Sequence, residues 1–265
     1  MSGGLDYIPG LIAAFRAGLA GPHIHLGLWT GGAADLAAAQ DAMAEAHLDA
    51  AGLSDGMTLL DVGCGLGGTV AMAQARVRDA RIVSVNIDPR QLAPCREIAT
   101  RNGNRLEWLE AGAESISMPD GCADVVLSQE AMFHFPSRTA FLAEAARLLR
   151  PGGRLVCSDI TFPQSAERDR LRTVTEGYAP WPDPDHQPED LHPPGLEPVA
   201  FHDLSDAVQP TWARIVPPGA RPAVHPVAAM AALHRAGQLR YTLQVFAKPA
   251  TPGPDSDLAQ PPATA

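Results

Sequence analysis

Asp61 stands two residues before the first glycine of Gly63-Cys64-Gly65-Leu66-Gly67-Gly68. A short apolar run from Thr58 to Val62 leads into these glycines, and a helix is predicted from about Thr69. Glycine lets the backbone take left-handed dihedrals and lets a ligand come close. Gly63, Gly65 and Gly68 also satisfy the dinucleotide fingerprint G-x-G-x-x-G. A dinucleotide, however, needs the helix N-terminus free for its pyrophosphate, and a carboxylate at the mouth of the loop repels that anion. Asp61 suits a ligand with ammonium and sulfonium charge instead. A second reactive group is His134. It follows the fourth predicted strand, at the carboxyl edge where open α/β sheets bind ligands, and an imidazole there can serve as a general base.

The elements that must position these groups read as alternating strands and helices. Further strand-like runs are Arg81 to Ile87, Leu106 to Glu110, Asp124 to Ser128 and Arg154 to Asp159. Ser137 is placed to cap a helix whose Phe141, Leu142, Ala145, Leu148 and Leu149 share one face. Pro151-Gly152-Gly153 ends that helix in a tight turn. Repeated strand–helix–strand units imply a doubly wound α/β domain with a mainly parallel sheet. Residues 1–50 read as an N-terminal helical cap interrupted at Ala20-Gly21-Pro22, and 51–160 as the ligand-binding core. Residues 161–237 read as a lid over the acceptor, 238–248 as the last strand and 249–265 as a disordered tail.

Composition narrows the partners. A formal net charge of -10 with no offsetting Lys/Arg cluster disfavours nucleic acid. No apolar stretch is long enough to span a membrane, and no basic and apolar leader opens the chain. Cys64, Cys95, Cys122 and Cys157 form no CxxC pair and read as buried free thiols in a reducing cytoplasm. Asp183, Asp185, His186, Glu189, Asp190 and His192 match no metal-ligand spacing and sit among prolines, so no metal is expected. A homodimer is compatible with the sequence.

Leu59-Leu60-Asp61-Val62-Gly63-Cys64-Gly65-Leu66-Gly67-Gly68 resembles motif I of the class I, Rossmann-like S-adenosylmethionine-dependent methyltransferases. Gly21-Pro22-His23-Ile24-His25-Leu26-Gly27-Leu28-Trp29 is similar to a segment lying over the cofactor in the small-molecule branch, which includes tocopherol, sarcosine and natural-product sugar O-methyltransferases. Gln129 to Pro136 and Leu148 to Leu155 look like two further motifs of that branch. The resemblance implies a seven-stranded sheet with a helical lid insertion and S-adenosyl-L-methionine as cofactor. It implies cofactor contacts at Trp29, Asp61, Gly63, Cys64, Gly65, Gly67, Asn86, Ile87, Gln91, Ala113, Glu114 and Gln129. Two places depart from the family pattern. Asn86 stands where an acid usually meets the ribose, so Asn86 with Gln91 is expected there and Asp88 is the reserve. Gly112 stands where Asp usually meets adenine, leaving the Ala113 backbone N–H and costing about 1 kcal/mol of hydrogen bonding.

The resemblance also implies His134 as the base and Asp159, at the end of strand five, as its companion. The reaction expected is methyl transfer to a small-molecule hydroxyl, with a histidine limb in the pH profile at roughly pH 6–7. Transfer to carbon or nitrogen is the alternative, with Glu130 or Tyr178 facing a developing cation. A nicotinamide oxidoreductase and a non-catalytic cofactor-binding protein are the more distant ones. Trp212 and Tyr241 fit either the pocket or the core.

Overall fold

The computed structural model describes residues 8–163, 191–222 and 225–250. The described chain runs α1 (Ile8–Arg16), α2 (Leu36–Ala51), β1 (Thr58–Val62), α3 (Gly68–Arg76), β2 (Arg81–Asn86), α4 (Pro89–Arg96) and β3 (Arg105–Glu110). It continues with β4 (Ala123–Gln129), a 3-10 turn (Met132–His134), α5 (Arg138–Leu148) and β5 (Leu149–Thr161). The last described elements are β6 (Glu197–Asp203), α6 (Ser205–Ile215), α7 (Pro226–Arg235) and β7 (Arg240–Ala247). Seven strands form one sheet in the order β3-β2-β1-β4-β5-β7-β6. β1 pairs in parallel with both β2 and β4, and β7 lies antiparallel between β5 and β6. The order reverses between β1 and β4, which opens a crevice beyond their carboxyl ends.

The interior strands β1, β2, β4 and β7 and most of β5 bury both faces and so read as apolar runs, while the edge strands β3 and β6 are far less covered. Successive residues of β1 enter opposite cores: Leu60 and Val62 pack with Val83, Val85 and Phe141, while Leu59 packs with Ile82, Val125 and Leu127. Ser137 caps α5 by accepting from Ala140 N at 3.1 Å, as its sequence predicts. The five residues assigned to the buried face of that helix are 5 % exposed or less. Pro151-Gly152-Gly153 differs from the expected helix-ending turn. It lies within β5, where pairing with β4 passes from Leu149 to Arg154 across an irregularity and Gly152 takes φ 79°.

The amino-terminal region is helical only in part. Between α1 and α2 the chain is irregular, and this cover segment is pinned from two sides. Leu28 N donates to Ala39 O at 2.7 Å, and Gln40 Nε2 donates to His25 O at 2.7 Å. On the other side, Gly27 N donates to Thr211 Oγ1 at 3.0 Å and Trp29 N to Ala207 O at 2.9 Å. Leu26 joins a third core with Met43, Ile160, Phe162, Val208, Trp212 and Tyr241. Trp212 and Tyr241 therefore fill core. Among the described residues, no helix is long and apolar enough to cross a membrane.

Gly27 marks the tightest approach of this cover. A Cβ there would lie 2.6 Å from Ala39 Cβ and 3.1 Å from Ala39 C, whereas one at Gly21 would meet nothing within 4 Å. Gly27→Ala is expected to destabilise the fold by about 1–3 kcal/mol through overpacking. Gly21→Ala is expected to stay near wild type, and denaturant unfolding of the two variants checks the contrast.

Candidate active site

A cavity of about 280 Å³ opens at the carboxyl ends of β1, β2 and β4, under the cover segment. One water needs only about 10–15 Å³ by this kind of measure, so the space suits an organic ligand. Asp61, Gly63, Cys64, Gly65, Asn86, Ile87, Gln91, Ala113, Glu114, Gln129 and His134 all line it. The chain thus brings together most of the residues that sequence assigns to cofactor and base. Gly63, Gly65 and Gly67 all take positive φ, at 83°, 55° and 86°. At Gly65 a Cβ would lie 3.2 Å from Ile24 Cδ1, in the gap between loop and cover. Gly67 serves the fold instead: it is the N-cap of α3, and its missing Cβ makes room for Ile98 and Cys95.

Asp61 is 2 % exposed, and its Oδ2 is buried with no hydrogen-bond partner. Burial alone pushes its carboxyl up to about 7. Gln129 shows the same incompleteness: Oε1 accepts from Thr69 Oγ1 at 3.0 Å, while Nε2 is buried with no partner. A carboxylate and an amide left unsatisfied on one wall match a ligand carrying both cationic and acceptor groups.

Other assignments change. Asp88 caps α4 by accepting from Arg90 N at 2.9 Å and pairs with Arg90 Nη2 at 2.6 Å, so it belongs to the helix start. Asn86 Oδ1 accepts from Asp88 N at 2.9 Å, so a ligand hydroxyl there would accept from the amide nitrogen. Glu114 Oε1 accepts from Ser137 N at 3.2 Å, tying this wall residue to the start of α5. Trp29 is not among the residues lining the cavity. Its indole N–H donates to Thr211 Oγ1 at 2.8 Å, and Arg214 stacks 3.7 Å over its ring.

The expected companionship of His134 and Asp159 also changes. Asp159 is 2 % exposed and accepts from Arg138 Nη2 at 2.5 Å and from Ile160 N at 2.8 Å. Burial raises its carboxyl and the guanidinium opposes this, leaving it ionised at neutral pH. Burial lowers His134 to about 4, where a companion carboxylate would raise it. The histidine limb expected at pH 6–7 therefore moves down to about pH 4. The imidazole is neutral, and so able to accept a proton, throughout the neutral range.

Sequence reasoning assigned no role to three further wall residues, His23, His25 and Phe135, and Glu130, named there only for the carbon or nitrogen alternative, lines the cavity as well. The two histidines meet at 2.9 Å, and His23 Nε2 lies 3.1 Å from Asp41 Oδ1. Their signal was present in the cover motif, read there for its backbone path alone. Tyr178 and residues 183–190 lie outside the described part, and the described residues contain no cluster of three potential metal ligands.

With this geometry in view, the comparisons with known proteins are decisive. Residues 60–157 match a family model described as methyltransferase domain. The chain is 30% identical over 201 residues to 27-O-demethylrifamycin SV methyltransferase of Amycolatopsis mediterranei, covering 73% of this chain and 74% of that protein. It is 36% identical over 142 residues to erythromycin 3''-O-methyltransferase of Saccharopolyspora erythraea, covering 53% and 46%. In fold it is similar to the [4+2]-cyclase SpnF, with TM-score 0.73, 21% identity and coverage of 94% and 96%. It is likewise similar to geranyl diphosphate methyltransferase in complex with SAM, with TM-score 0.68, 20% identity and coverage of 86% and 100%. The chain belongs to the S-adenosylmethionine-dependent methyltransferases of class I, in their small-molecule branch.

Asp61 gives this site a pH signature. Its folded pKa lies above the unfolded value, so the folded protein holds the extra proton between about pH 4 and 7 and loses stability as pH rises through that range. Asp61→Asn removes the cost. It is expected to raise the melting temperature at pH 8, with the gain shrinking toward pH 4–5, while weakening S-adenosylhomocysteine binding strongly at pH 8. Melting curves and calorimetric titration across pH read both effects.

Proposed function

We propose that this enzyme methylates a hydroxyl of a small molecule of specialised metabolism. The uncompensated, buried carboxylate of Asp61 beside the glycine loop carries the cofactor half of the reading. When bound, S-adenosylmethionine supplies a methyl group already activated by its sulfonium. The chain's own work is placement, charge and proton transfer. Asp61 meets the cationic amino-acid end, where a partly dry site strengthens the attraction. Asn86 and Gln91 meet the ribose, and the Ala113 N–H meets the adenine. Ile87, 62 % exposed at the end of β2, offers an apolar face to the purine.

The acceptor half rests on His134 and on two relatives. An imidazole neutral at physiological pH takes the hydroxyl proton as the oxygen becomes the nucleophile. Both relatives described above carry an oxygen position in their names. Asp159 acts at one remove: it anchors Arg138, the first residue of the helix that follows the 3-10 turn carrying His134, and accepts from the Phe133 backbone N–H. The lid expected over residues 161–237 does not hold as one unit: Glu197–Asp203 is β6, an edge strand of the sheet, and residues 164–190 lie outside the described residues.

His134→Ala is expected to lower kcat by about 10²-fold or more, with S-adenosylhomocysteine affinity near wild type. Wild-type kcat at saturating cofactor is expected to show no His134 limb between pH 6 and 7.5, because that titration lies near pH 4. An acceptor screen that detects S-adenosylhomocysteine release supplies the assay. Full kcat in His134→Ala would favour an amine or carbon acceptor instead.

A further inference from the structure

Two histidines of the cover segment link the glycine loop to α2. His25 Nδ1 bonds Leu26 O at 2.9 Å, and its Nε2 meets His23 Nδ1 at 2.9 Å. His23 Nε2 meets Asp41 Oδ1 on α2 at 3.1 Å. The His23 ring also lies against the first residue of α3: a Cβ at Gly68 would stand 2.5 Å from its Cε1 and Nδ1. Gly68, the last glycine of the G-x-G-x-x-G pattern, therefore makes room for an imidazole of the chain itself. Both histidines are buried and line the cavity. Asp41 is not among the lining residues, and its side chain is 59 % exposed.

The two ends of this chain fix its protons. Leu26 O and a carboxylate oxygen of Asp41 only accept, so His25 Nδ1 and His23 Nε2 each carry hydrogen. The contact between the rings needs a third hydrogen, and two neutral imidazoles bring only two. In the neutral pair, lone pairs therefore face each other either between the rings or between His23 Nε2 and Asp41. All three contacts are hydrogen bonds at once only when the pair holds one extra proton.

We infer that His23 and His25 are positioning residues that share one proton beyond their neutral forms, held by Asp41, and that this charged clasp fixes the cover over the cofactor loop. The extra proton belongs to His23, which donates to His25 on one side and to the Asp41 carboxylate on the other. Burial lowers both rings. Asp41 opposes this at His23 by charge and hydrogen bond, while the charges of His23 and His47 push His25 further down against the help of Leu26 O. The clasp is thus complete on the acid side and one proton short at pH 8. Among the described residues, α2 faces the pair with Asp41, His47 and the neutral Gln40, whose Nε2 donates to both histidine carbonyls. The first turn of α3 brings no acidic side chain, and its N-terminal dipole disfavours a cation. The cavity wall adds Asp61 and Glu130, the latter through Leu26 N. The clasp bears on the cofactor half of the proposed function and not on the nature of the acceptor.

The test uses the full, ligand-free chain with nitrogen-15 in its histidines, and His23→Gln and His25→Gln assign the two rings. As pH falls from 8 to 5, one proton is expected to enter the pair. His23 becomes imidazolium with a midpoint below the ordinary histidine value, and His25 stays neutral with its hydrogen on Nδ1. Asp41→Asn is expected to lower that midpoint by about half a unit. It is also expected to weaken S-adenosylhomocysteine binding about three- to fivefold at pH 5 and to leave it near wild type at pH 8. Comparing variant and wild type at each pH cancels the Asp61 titration, which both share. Two rings that each take up a proton independently would overturn the inference. So would a midpoint that Asp41→Asn leaves in place, or an affinity ratio that does not change with pH. Neither measurement needs an acceptor, so failure here is distinct from failure of the hydroxyl reading.

Discussion

A carboxylate taken out of water without a partner is among the costliest things a fold can hold. Asp61 is held that way near the end of β1, an interior strand of the sheet. Its position follows from the parallel order around it. β1 runs between β2 and β4, the connections leave on opposite faces, and the carboxyl ends open into a crevice. The glycines that follow turn the chain sharply, with left-handed dihedrals at Gly63, Gly65 and Gly67, and leave room for Ala131 and Phe135 at Gly63 and for Ile24 at Gly65. A cationic ligand is the group that repays this arrangement, and the cost of leaving Asp61 alone becomes selectivity for charge.

The cover segment depends on the same crevice. It is irregular backbone, and irregular backbone under a lid needs outside partners for its polar groups. It finds them on α2 through Ala39 and Gln40, on α6 through Thr211 and Ala207, and on the cavity wall through Glu130. Binding-site closure and core packing are therefore the same set of contacts. Leu26 shows this in one residue: its side chain joins the third core, and its N–H reaches the Glu130 carboxyl.

The sequence made legible what depends on local pattern. Five strands and the α5 face follow from apolar runs and helical spacing, and the glycine loop with Asp61 follows from residues adjacent in the chain. Pairings between distant residues were not legible. Arg138 lies 21 positions before Asp159, and nothing in either segment announces that the guanidinium, rather than the His134 imidazole, holds the carboxylate. Trp29 belongs to a motif that runs over the cofactor, yet the indole itself turns to Thr211 and Arg214, 182 and 185 positions away in the chain. The hydrogen bonds from His47 to Ser158 and from Ser158 to Tyr241 draw on α2, β5 and β7 together, so only the assembled sheet shows them. Pro151-Gly152-Gly153 misled for a different reason: its turn chemistry is real, but the sheet absorbs it as an irregularity within β5.

Burial acts on Asp61, Glu130 and His134 of the cavity in opposite directions. It raises carboxyls and lowers imidazoles, because in both cases it disfavours charge. Glu130 rises to about 8 and Asp61 to about 7, while His134 falls to about 4. Of these three, Glu130 is mostly protonated and His134 neutral at neutral pH, while Asp61 lies near its midpoint. That carboxyl is the one beside the glycine loop. A cation arriving there lowers the cost of ionising Asp61 and draws off its proton, so binding and ionisation favour each other. In the proposed reading the neutral imidazole of His134 takes the acceptor's proton. Two groups with pKa values pushed apart by one apolar enclosure are the pattern by which an acid and a base acquire separate tasks. In the proposed reading the separation leaves charge recognition to Asp61 and proton removal to His134.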